Sequence, residues 1–425
     1  MLIHRIAQLV TVKGGAQRGN RLGELGIISH GAVVYRAGRI LAVGTEEEML
    51  AAFPEEPRFD AGGRAVVPGL VDPHTHLLWA GERAAEFEMR LKGKTYLEIL
   101  QAGGGILNTV RATRRASVER LMAETRPRLW RAFAHGATTI EVKTGYGLST
   151  AAEFKILEAI LRLDDEGPWD LVPTFLAAHA VPPEFRGRTA AYARLICDQM
   201  LPALKDWWRS HGGGRPLPFV DVFCETGAFD LEQTHCILET AKSLGFPLKI
   251  HADEFDNLGG TALAARLGST SADHLVATSL EDIGVLAASE TVAVSLPCTP
   301  FGLGESHYTP AQAILAADGY LALATDCNPG TAWCESMPFA MALGCRMMGL
   351  TPAQALAAAT INAAAAVGRA QEIGSIEAGK QADLLILDTS DYRHLTYRFG
   401  TNLAAWVVKK GRFYRIEGGV ACMPQ

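Results

Sequence analysis

The pattern of apolar and polar residues at the two ends of this chain differs from the pattern between them. Residues 31–44 read as two short strands around a turn at Arg36-Ala-Gly38. Strand-like runs of the same kind return at 382–387 and 405–414, with a second turn at Lys410-Gly411. Both ends therefore predict one small β-sandwich domain, with a large domain inserted into it. The predicted bounds are 1–65 plus 368–425 for the composite β domain and 66–367 for the large one.

Between these ends, strand and helix signals alternate, which favours a parallel sheet covered by helices. Capping residues predict helices over Glu153–Glu166 and Asp230–Leu244, and another that begins at Thr351-Pro352. The pattern over 84–116 is unclear, and Gly103-Gly-Gly105 reads as a loop. Eight strands, the number that closes a TIM-like (β/α)8 barrel, are predicted to end at His74, Val142, Leu176, Phe223, Ile250, His274, Leu296 and Thr325.

Composition narrows the class of protein. The chain has 425 residues, of which 48% are hydrophobic and 20% charged, as expected for a globular protein with a large core. A net charge of -6 without a basic run argues against nucleic acid as a partner. We expect no signal peptide and no membrane span. The eight cysteines form no Cys-x-x-Cys pair, so we expect reduced thiols in a cytoplasmic protein.

The segment Val66–His76 contains the most informative pair of residues, His74 and His76. The segment is apolar and β-branched, so it is predicted to be a buried strand. Alternate side chains of a strand point to the same face, so both imidazoles can reach one metal ion. The plain alternative is a pair of ordinary histidines near a turn.

Further ionisable residues follow other predicted strands: His179, His251 with Glu254, His274 and Asp326. In such a barrel the C-terminal ends of the strands surround the active site. Each residue has an ordinary alternative: His179 in the core, Glu254 in a helix first turn, His274 packed on a helix, Asp326 in a turn. Their occurrence at one rim favours a shared site.

Three imidazoles and a carboxylate suit one zinc or iron ion per subunit. The predicted ligands are His74, His76, His251 and Asp326, which leave a position for water. Glu254 follows His251 by three residues and is the best candidate to move protons between water and a nitrogen leaving group. Asp326 is a second candidate for the base, and His274 is predicted to polarise the attacked carbonyl or hold the water.

These residues resemble the amidohydrolase superfamily. The longer motifs resemble its imidazolonepropionase family, most specifically Lys143-Thr-Gly-Tyr-Gly-Leu148 and Asp326-Cys-Asn-Pro-Gly330. The resemblance covers 66–331. It implies hydrolysis of the ring of 4-imidazolone-5-propanoate to N-formimidoyl-L-glutamate by a metal-activated water, a step of histidine degradation. The superfamily resemblance also implies a homodimer.

The resemblance further implies a set of residues that hold this small-molecule substrate or its product. An arginine can bind the propanoate tail through two parallel hydrogen bonds, which suits Arg83. The alternative for Arg83 is an ion pair with Glu82 or Glu86, and for Tyr146 a loop aromatic that covers the rim. The implied residues are Arg83, Tyr146, His179, Glu254, Asn328, Gly330 and Thr331.

Some superfamily members bridge two metals with a modified lysine after the fourth strand. Here that strand closes as Asp221–Glu225 without a lysine, which favours a single metal, and Glu225 is predicted to orient His251. The first alternative function is deamination of a purine- or pyrimidine-like ring by the same residues, although a neutral base needs no tail-binding Arg83. The second is a non-catalytic barrel scaffold, against which the retention of every candidate ligand argues.

Overall fold

The computed structural model describes residues 1–94, 98, 104–417 and 420–422, and Gly103 of the predicted loop lies outside them. Sixteen strands are described, numbered in chain order. They are β1 Leu2–Val10, β2 Ile27–Arg36, β3 Arg39–Thr45, β4 Arg58–Pro68, β5 Leu70–Asp72, β6 Ala137–Lys143, β7 Asp170–Ala178, β8 Phe219–Cys224, β9 Lys249–Ala252, β10 Ser271–His274, β11 Val292–Ser295, β12 Leu321–Leu323, β13 Leu384–Leu387, β14 Ala404–Lys409, β15 Arg412–Glu417 and β16 Val420–Cys422.

Helices connect these strands, and the predicted ones are confirmed. The first spans Thr150–Glu166, the second Leu231–Ser243 after its capping residue Asp230, and the third Pro352–Ala358. The other α-helices are Glu46–Ala52, Ala84–Leu91, Ile106–Arg115, Val118–Ala134, Thr189–Leu195, Leu201–His211, Gly260–Leu267, Leu280–Ala287, Cys298–Leu303, Ala311–Ala316, Met337–Met347, Ile361–Ala366 and His394–Tyr397. Within the described chain, no helix has both the length and the apolar character that a membrane crossing requires.

Strands from both termini come together in one sheet, which confirms that the terminal segments share a β structure separate from the barrel. Its order is β16-β15-β14-β13-β4-β1-β2-β3, in which β1 and β4 are parallel and the other neighbours antiparallel. The two predicted hairpins are confirmed. Tyr35 Oη of β2 donates to the Gly411 carbonyl at 2.8 Å, so distant parts of the sheet approach each other. They enclose a shared apolar core that includes Ile6, Val33 and Val408.

The second sheet is the predicted parallel barrel, with strands β5 to β12 in sequential order. The chain after β12 closes it against the chain after β5. There the Asp326 amide donates to the His74 carbonyl at 3.1 Å, and the His76 amide donates to the Cys327 carbonyl at 3.0 Å. Closure therefore sets two histidines and an aspartate side by side at the C-terminal end of the barrel.

One prediction about the strands is wrong. The run 66–76 is not a single strand, because β4 continues to Pro68 in the terminal sheet and β5 begins at Leu70 in the barrel. Gly69 makes the transition, and a Cβ there would lie 2.5 Å from Thr138 Oγ1. His74 and His76 follow β5, yet their extended backbone still directs both side chains to the same centre. Since β4 crosses residue 65, the proposed domain bounds fall within a strand.

Candidate active site

Four histidines and one aspartate meet at the C-terminal end of the barrel. His76 Nε2 lies 3.2 Å from His251 Nε2, and Asp326 Oδ1 lies 3.6 Å from Nε2 of both His74 and His76. The ligand atoms of His74, His76 and Asp326 lie within 4.8 Å of one another, as do those of His74, His251 and His274. All five residues are buried. The structure thus brings the four predicted metal ligands together and places His274 beside them.

The donor atoms of this cluster fit a divalent metal ion. In the described part of the chain, the buried atoms His74 Nε2 and Asp326 Oδ1 have no hydrogen-bond partner, which is costly unless a ligand binds them. The separation of the two Nε2 atoms of His76 and His251 is close to the edge of a tetrahedron with ~2.0 Å bonds, about 3.3 Å. Burial lowers the pKa of His74 well below its ordinary value, which favours the neutral imidazole that binds metals.

A carboxylate lies beside the outer nitrogen of each of two of these histidines. Asp273 Oδ2 lies 2.6 Å from His74 Nδ1, and Asp221 Oδ2 lies 3.0 Å from His251 Nδ1. A carboxylate in this position keeps the proton on Nδ1 and directs the bare Nε2 toward the centre. Asp221 lies on β8, the neighbour of the strand β9 that contains His251, whereas Asp273 lies on β10, which does not pair with the strand β5 that precedes His74.

The prediction that Glu225 orients His251 is wrong. Glu225 Oε2 accepts hydrogen bonds from the backbone amides of Phe255 and Asp256, at 2.9 and 3.3 Å. Glu225 thus fixes the loop that follows β9, next to Glu254, while Asp221 contacts the histidine.

An ionic layer of fully buried side chains adjoins the histidines. Lys143 Nζ lies 2.7 Å from Asp221 Oδ2 and 2.9 Å from Glu141 Oε1. Lys249 Nζ lies 3.1 Å from the same Glu141 oxygen and 3.7 Å from Asp273 Oδ2. Two ammonium groups face three carboxylates here, and the aspartate of the metal cluster adds a fourth. A divalent cation at this centre would offset the excess of carboxylates over ammonium groups, since unbalanced buried charge is strongly unfavourable.

Glu254, the predicted proton shuttle, lies beside this cluster. Its Oε2 atom lies 3.7 Å from His274 Nε2. Burial raises the pKa of Glu254 well above its ordinary value, and the charge of Asp326 adds to this effect. Burial also raises the pKa of Asp326 to about 6, although a hydrogen bond from Thr299 opposes the rise. Carboxyl groups whose pKa moves toward neutrality suit proton transfer.

The aromatic rings of Tyr146 and His179 lie next to the predicted metal ligands. The His179 ring stacks on His76 with centroids 4.7 Å apart, and the Tyr146 centroid lies 5.4 Å from that of His179. Desolvation lowers the pKa of His179 to about 3, so its ring is neutral at physiological pH. The two predicted substrate residues thus lie in the same cluster as the metal ligands.

The loop that carries Tyr146 is held by Glu153, a buried residue of the helix that follows. Its carboxylate accepts hydrogen bonds from the backbone amides of Gly145, Gly147 and Leu148 at 2.9, 2.8 and 2.5 Å. Three donors on one carboxylate fix the loop conformation and with it the Tyr146 ring.

The loop after Asp326 contains the other predicted substrate residues. Asn328 Oδ1 accepts from the backbone amides of Gly330 and Thr331 at 2.8 Å each, and Asn328 Nδ2 donates to the Asp326 carbonyl at 2.8 Å. These bonds shape a tight loop directly beside a candidate metal ligand.

Arg83 reaches this loop from the start of the helix Ala84–Leu91. Its Nε atom donates to Glu86 Oε2 at 2.8 Å, so the ion pair considered as the alternative for Arg83 is present. The guanidinium also packs on Gly330, where any Cβ would collide with Nη1. Arg83 therefore both forms the ion pair with Glu86 and lies against the loop that contains the other predicted substrate residues.

Two cavities open near the cluster. One, of about 440 Å³, is lined by residues that include Arg83, Gly330 and Thr331. The other, of about 350 Å³, is lined by residues that include Glu254 and His274. A small substrate is the class of ligand that such cavities can accommodate.

Sequence reasoning missed the residues that support the site. The signal was present, because Glu141, Lys143, Lys249 and Asp273 are charged residues within apolar barrel strands. A charged residue that is buried in this way requires a partner. Glu141 and Lys143 share β6, but their other partners lie on other strands, so the sequence alone did not reveal which residues pair.

Comparison with known proteins shows the family to which the chain belongs. The model of the amidohydrolase family matches residues 65–413, and the model described as imidazolonepropionase-like composite domain, bacteria, matches residues 31–55. The chain is 52% identical over 414 residues to an imidazolonepropionase of Herpetosiphon aurantiacus, which covers 97% of each chain. It is 50% identical over 416 residues to an imidazolonepropionase of Chloroflexus aggregans, and this alignment also covers 97% of each chain.

Among solved structures, the fold is similar to that of an adenosine deaminase from Xanthomonas campestris with bound zinc. The TM-score is 0.71 at 19% sequence identity, with 99% of this chain and 94% of that chain covered. At this identity the similarity concerns the fold.

Proposed function

The chain belongs to the imidazolonepropionase family of the amidohydrolases, and from this premise we propose that it hydrolyses 4-imidazolone-5-propanoate to N-formimidoyl-L-glutamate in histidine degradation. Water adds to the ring carbonyl carbon, and the bond from that carbon to the ring nitrogen breaks. The carbon becomes a carboxylate, and the nitrogen takes a proton. The observation that carries the proposal is the similarity to imidazolonepropionases, which extends over 97% of the chain.

The chemistry of the site supports this reaction. A bound zinc or iron ion supplies Lewis acidity and lowers the pKa of water toward about 7. We assign His74, His76, His251 and Asp326 as its ligands, one ion per subunit. The carboxyl of Glu254 takes a proton from the attacking water and delivers it to the departing ring nitrogen. His274 polarises the carbonyl, and Asp326 is the second candidate for the first proton transfer.

The substrate is proposed to lie between the metal cluster and the helix Ala84–Leu91. The Arg83 guanidinium binds the propanoate carboxylate, and Glu254 contacts the imidazolone ring. The cluster of Tyr146 and His179 covers the ring. The backbone and side chains of Asn328, Gly330 and Thr331 line the same pocket.

The cysteines and the family resemblance bear on the compartment and the oligomeric state of the enzyme. We propose a cytoplasmic homodimer, as the reduced cysteines and the family resemblance suggest. Seven cysteines are free thiols in the structure, namely Cys197, Cys224, Cys236, Cys298, Cys327, Cys334 and Cys345.

Turnover of 4-imidazolone-5-propanoate by metal-loaded and chelator-treated protein tests the function. We expect turnover by the loaded protein and its loss after chelation. Glu254→Gln is expected to lower kcat by about 10²-fold or more while metal content stays near that of the wild type, because this change removes the proton carrier. Glu239→Gln, which alters an exposed carboxylate on the helix Leu231–Ser243, is the matched control.

Two results would contradict these assignments. Loss of metal from Glu254→Gln would place Glu254 among the ligands. Ammonia release from a purine or pyrimidine, without turnover of the imidazolone, would make the protein a deaminase.

A further inference from the structure

Two arginines converge on one glycine of the loop that follows Asp326, and a glutamate contacts one of these arginines. Arg83, Glu86 and Arg90 lie three and four residues apart, so they share one face of the helix Ala84–Leu91. Arg90 Nη2 donates to the Gly330 carbonyl at 2.8 Å, and the Arg83 guanidinium packs on the same glycine. Arg83 and Arg90 both line the cavity of about 440 Å³ beside Phe87.

Glu86 holds one edge of Arg83. Both Nε and Nη2 of Arg83 lie 2.8 Å from Glu86 Oε2. The Glu86 carboxylate is itself nearly buried and accepts from the Gly105 amide at 3.0 Å and from Asn108 Nδ2 at 3.3 Å. A second carboxylate can therefore meet Arg83 at its outer edge, where Nη1 and Nη2 form the fork that binds carboxylates with two parallel bonds.

Arg90 makes the net charge of the group formed by Arg83, Glu86 and Arg90 positive. The Arg83–Glu86 pair is neutral overall, so it provides little long-range attraction for an anion. Arg90 adds one positive charge, and its bond to the Gly330 carbonyl ties the helix to the loop that follows Asp326. The group of Arg83, Glu86 and Arg90 therefore has a net charge of about +1 that faces the cavity.

We propose that Glu86 and Arg90 are positioning and specificity-determining residues that make Arg83 a carboxylate clamp. The inference rests on the proposed function, because it concerns the propanoate tail of that substrate. Glu86 orients the outer edge of Arg83 toward the tail. Arg90 supplies the net positive charge and holds Gly330, whose missing side chain leaves room for the guanidinium. The clamp selects substrates with a negatively charged tail.

The test combines kinetics with binding of two probes to the metal-loaded full chain. The probes are imidazole-4-propanoate and the uncharged imidazole-4-propanamide, measured by calorimetry. Arg90→Gln is expected to raise KM for 4-imidazolone-5-propanoate about tenfold, with kcat within about twofold of the wild type. Affinity for the propanoate probe should fall by a similar factor, while affinity for the propanamide probe stays unchanged.

Two further variants separate charge from orientation. Arg90→Lys keeps the charge and a donor for the Gly330 carbonyl, so we expect KM within about threefold of the wild type. Glu86→Gln makes the group more positive but weakens the hold on Arg83. We expect its KM to rise about fivefold, because orientation outweighs the added charge.

The exposed pair Glu88 and Lys92 at the end of the same helix provides matched controls. Glu88→Gln and Lys92→Gln make the same changes of charge away from the cavity, and KM should change less than about twofold because exposed charges are screened. Equal losses of affinity for both probes in Arg90→Gln, or a lower KM in Glu86→Gln, would refute the clamp.

Failure of the clamp is distinguishable from failure of the proposed function. A wild type that turns over the imidazolone while the variants keep its KM would retain the function and refute the clamp. The opposite result is also possible to recognise. If the wild type prefers the propanoate probe, Arg90→Gln loses that preference, and the wild type does not turn over the imidazolone, the clamp is supported and the function is refuted.

Discussion

Asp273 acts on a histidine far from it in the chain. It directly precedes His274, yet its carboxylate lies 2.6 Å from Nδ1 of His74, and Ser271 Oγ donates to its other oxygen at 2.6 Å. The Lys143 and Lys249 ammonium groups lie 3.6 and 3.7 Å from it. The residue that contacts a proposed metal ligand is thus itself held by the ionic layer.

We expect Asp273→Asn to weaken metal binding by about 10- to 100-fold, the usual effect of losing a carboxylate behind a metal-bound histidine. The amide keeps the size of the side chain but not its charge. Competition with a chromophoric chelator measures the affinity. Asp206→Asn, at an exposed carboxylate, is the control. An unchanged metal affinity in Asp273→Asn would remove Asp273 from the metal centre.

At the scale of elements, capping explains where the helices begin. Asp230 accepts from the Gln233 amide at 2.8 Å, and the Gln233 side chain accepts from the Asp230 amide at 3.4 Å, which forms a capping box. Ser149 precedes the helix Thr150–Glu166, but its side chain makes no capping hydrogen bond. Aspartate and serine both commonly cap helices, but of these two residues only Asp230 makes the capping hydrogen bond.

This difference predicts unequal costs for two similar substitutions. Asp230→Ala should lower the free energy of unfolding by about 1 kcal/mol, because it removes a hydrogen bond to an otherwise unpaired helix amide. Ser149→Ala should change it by less than about 0.5 kcal/mol. Urea unfolding of the metal-loaded protein measures both. Equal losses in the two variants would show that the hydrogen bond does not determine the stability of these helix ends.

The apolar run around Gly69 contributes strands to two different sheets. Its composition predicted one strand, but the same run supplies β4 of one sheet and β5 of the other. Hydrophobic pattern reports burial and does not report which sheet provides the neighbours. The strand bounds therefore required the tertiary structure, whereas the other predicted barrel strands end within two residues of the expected position.

At the scale of the whole molecule, Asp170 joins the barrel to the terminal sheet. It begins β7, and its carboxylate lies 3.0 Å from Lys409 Nζ of β14, 2.6 Å from Lys410 Nζ and 3.1 Å from Arg369 Nη1. Burial alone would raise the pKa of Asp170, but the charges of Lys409 and Arg369 outweigh it and hold the pKa below its ordinary range. The carboxylate thus stabilises the folded state.

Asp170→Asn should lower the free energy of unfolding by about 2 kcal/mol at neutral pH, since it removes one of the two carboxylates that contact the buried Lys409 ammonium. The folded pKa lies below that of an unfolded aspartate, about 3.9, so the advantage of the wild type is fully present above that pH. It should shrink as the pH falls further. Urea unfolding at several pH values checks this. A difference that does not depend on pH would contradict the ionic role, and Asp165→Asn is the exposed control.

The sequence by itself determined the class of fold and the chemical groups at its centre. Buried strands must be apolar, so charged and imidazole residues at the ends of those strands were visible without a structure. That is why His74, His76, His251 and Asp326 could be predicted. The alternation of strands and helices likewise indicated the barrel, because parallel strands need covering helices between them.

The tertiary structure alone decided which groups pair. Folding of the barrel brings Asp273 to His74, Asp221 to His251 and Arg90 to Gly330. These contacts join residues that are remote in the chain, and no local pattern encodes them. The physical reason is that a charge buried in a barrel is stabilised by its neighbours in space, which the closing of the sheet selects.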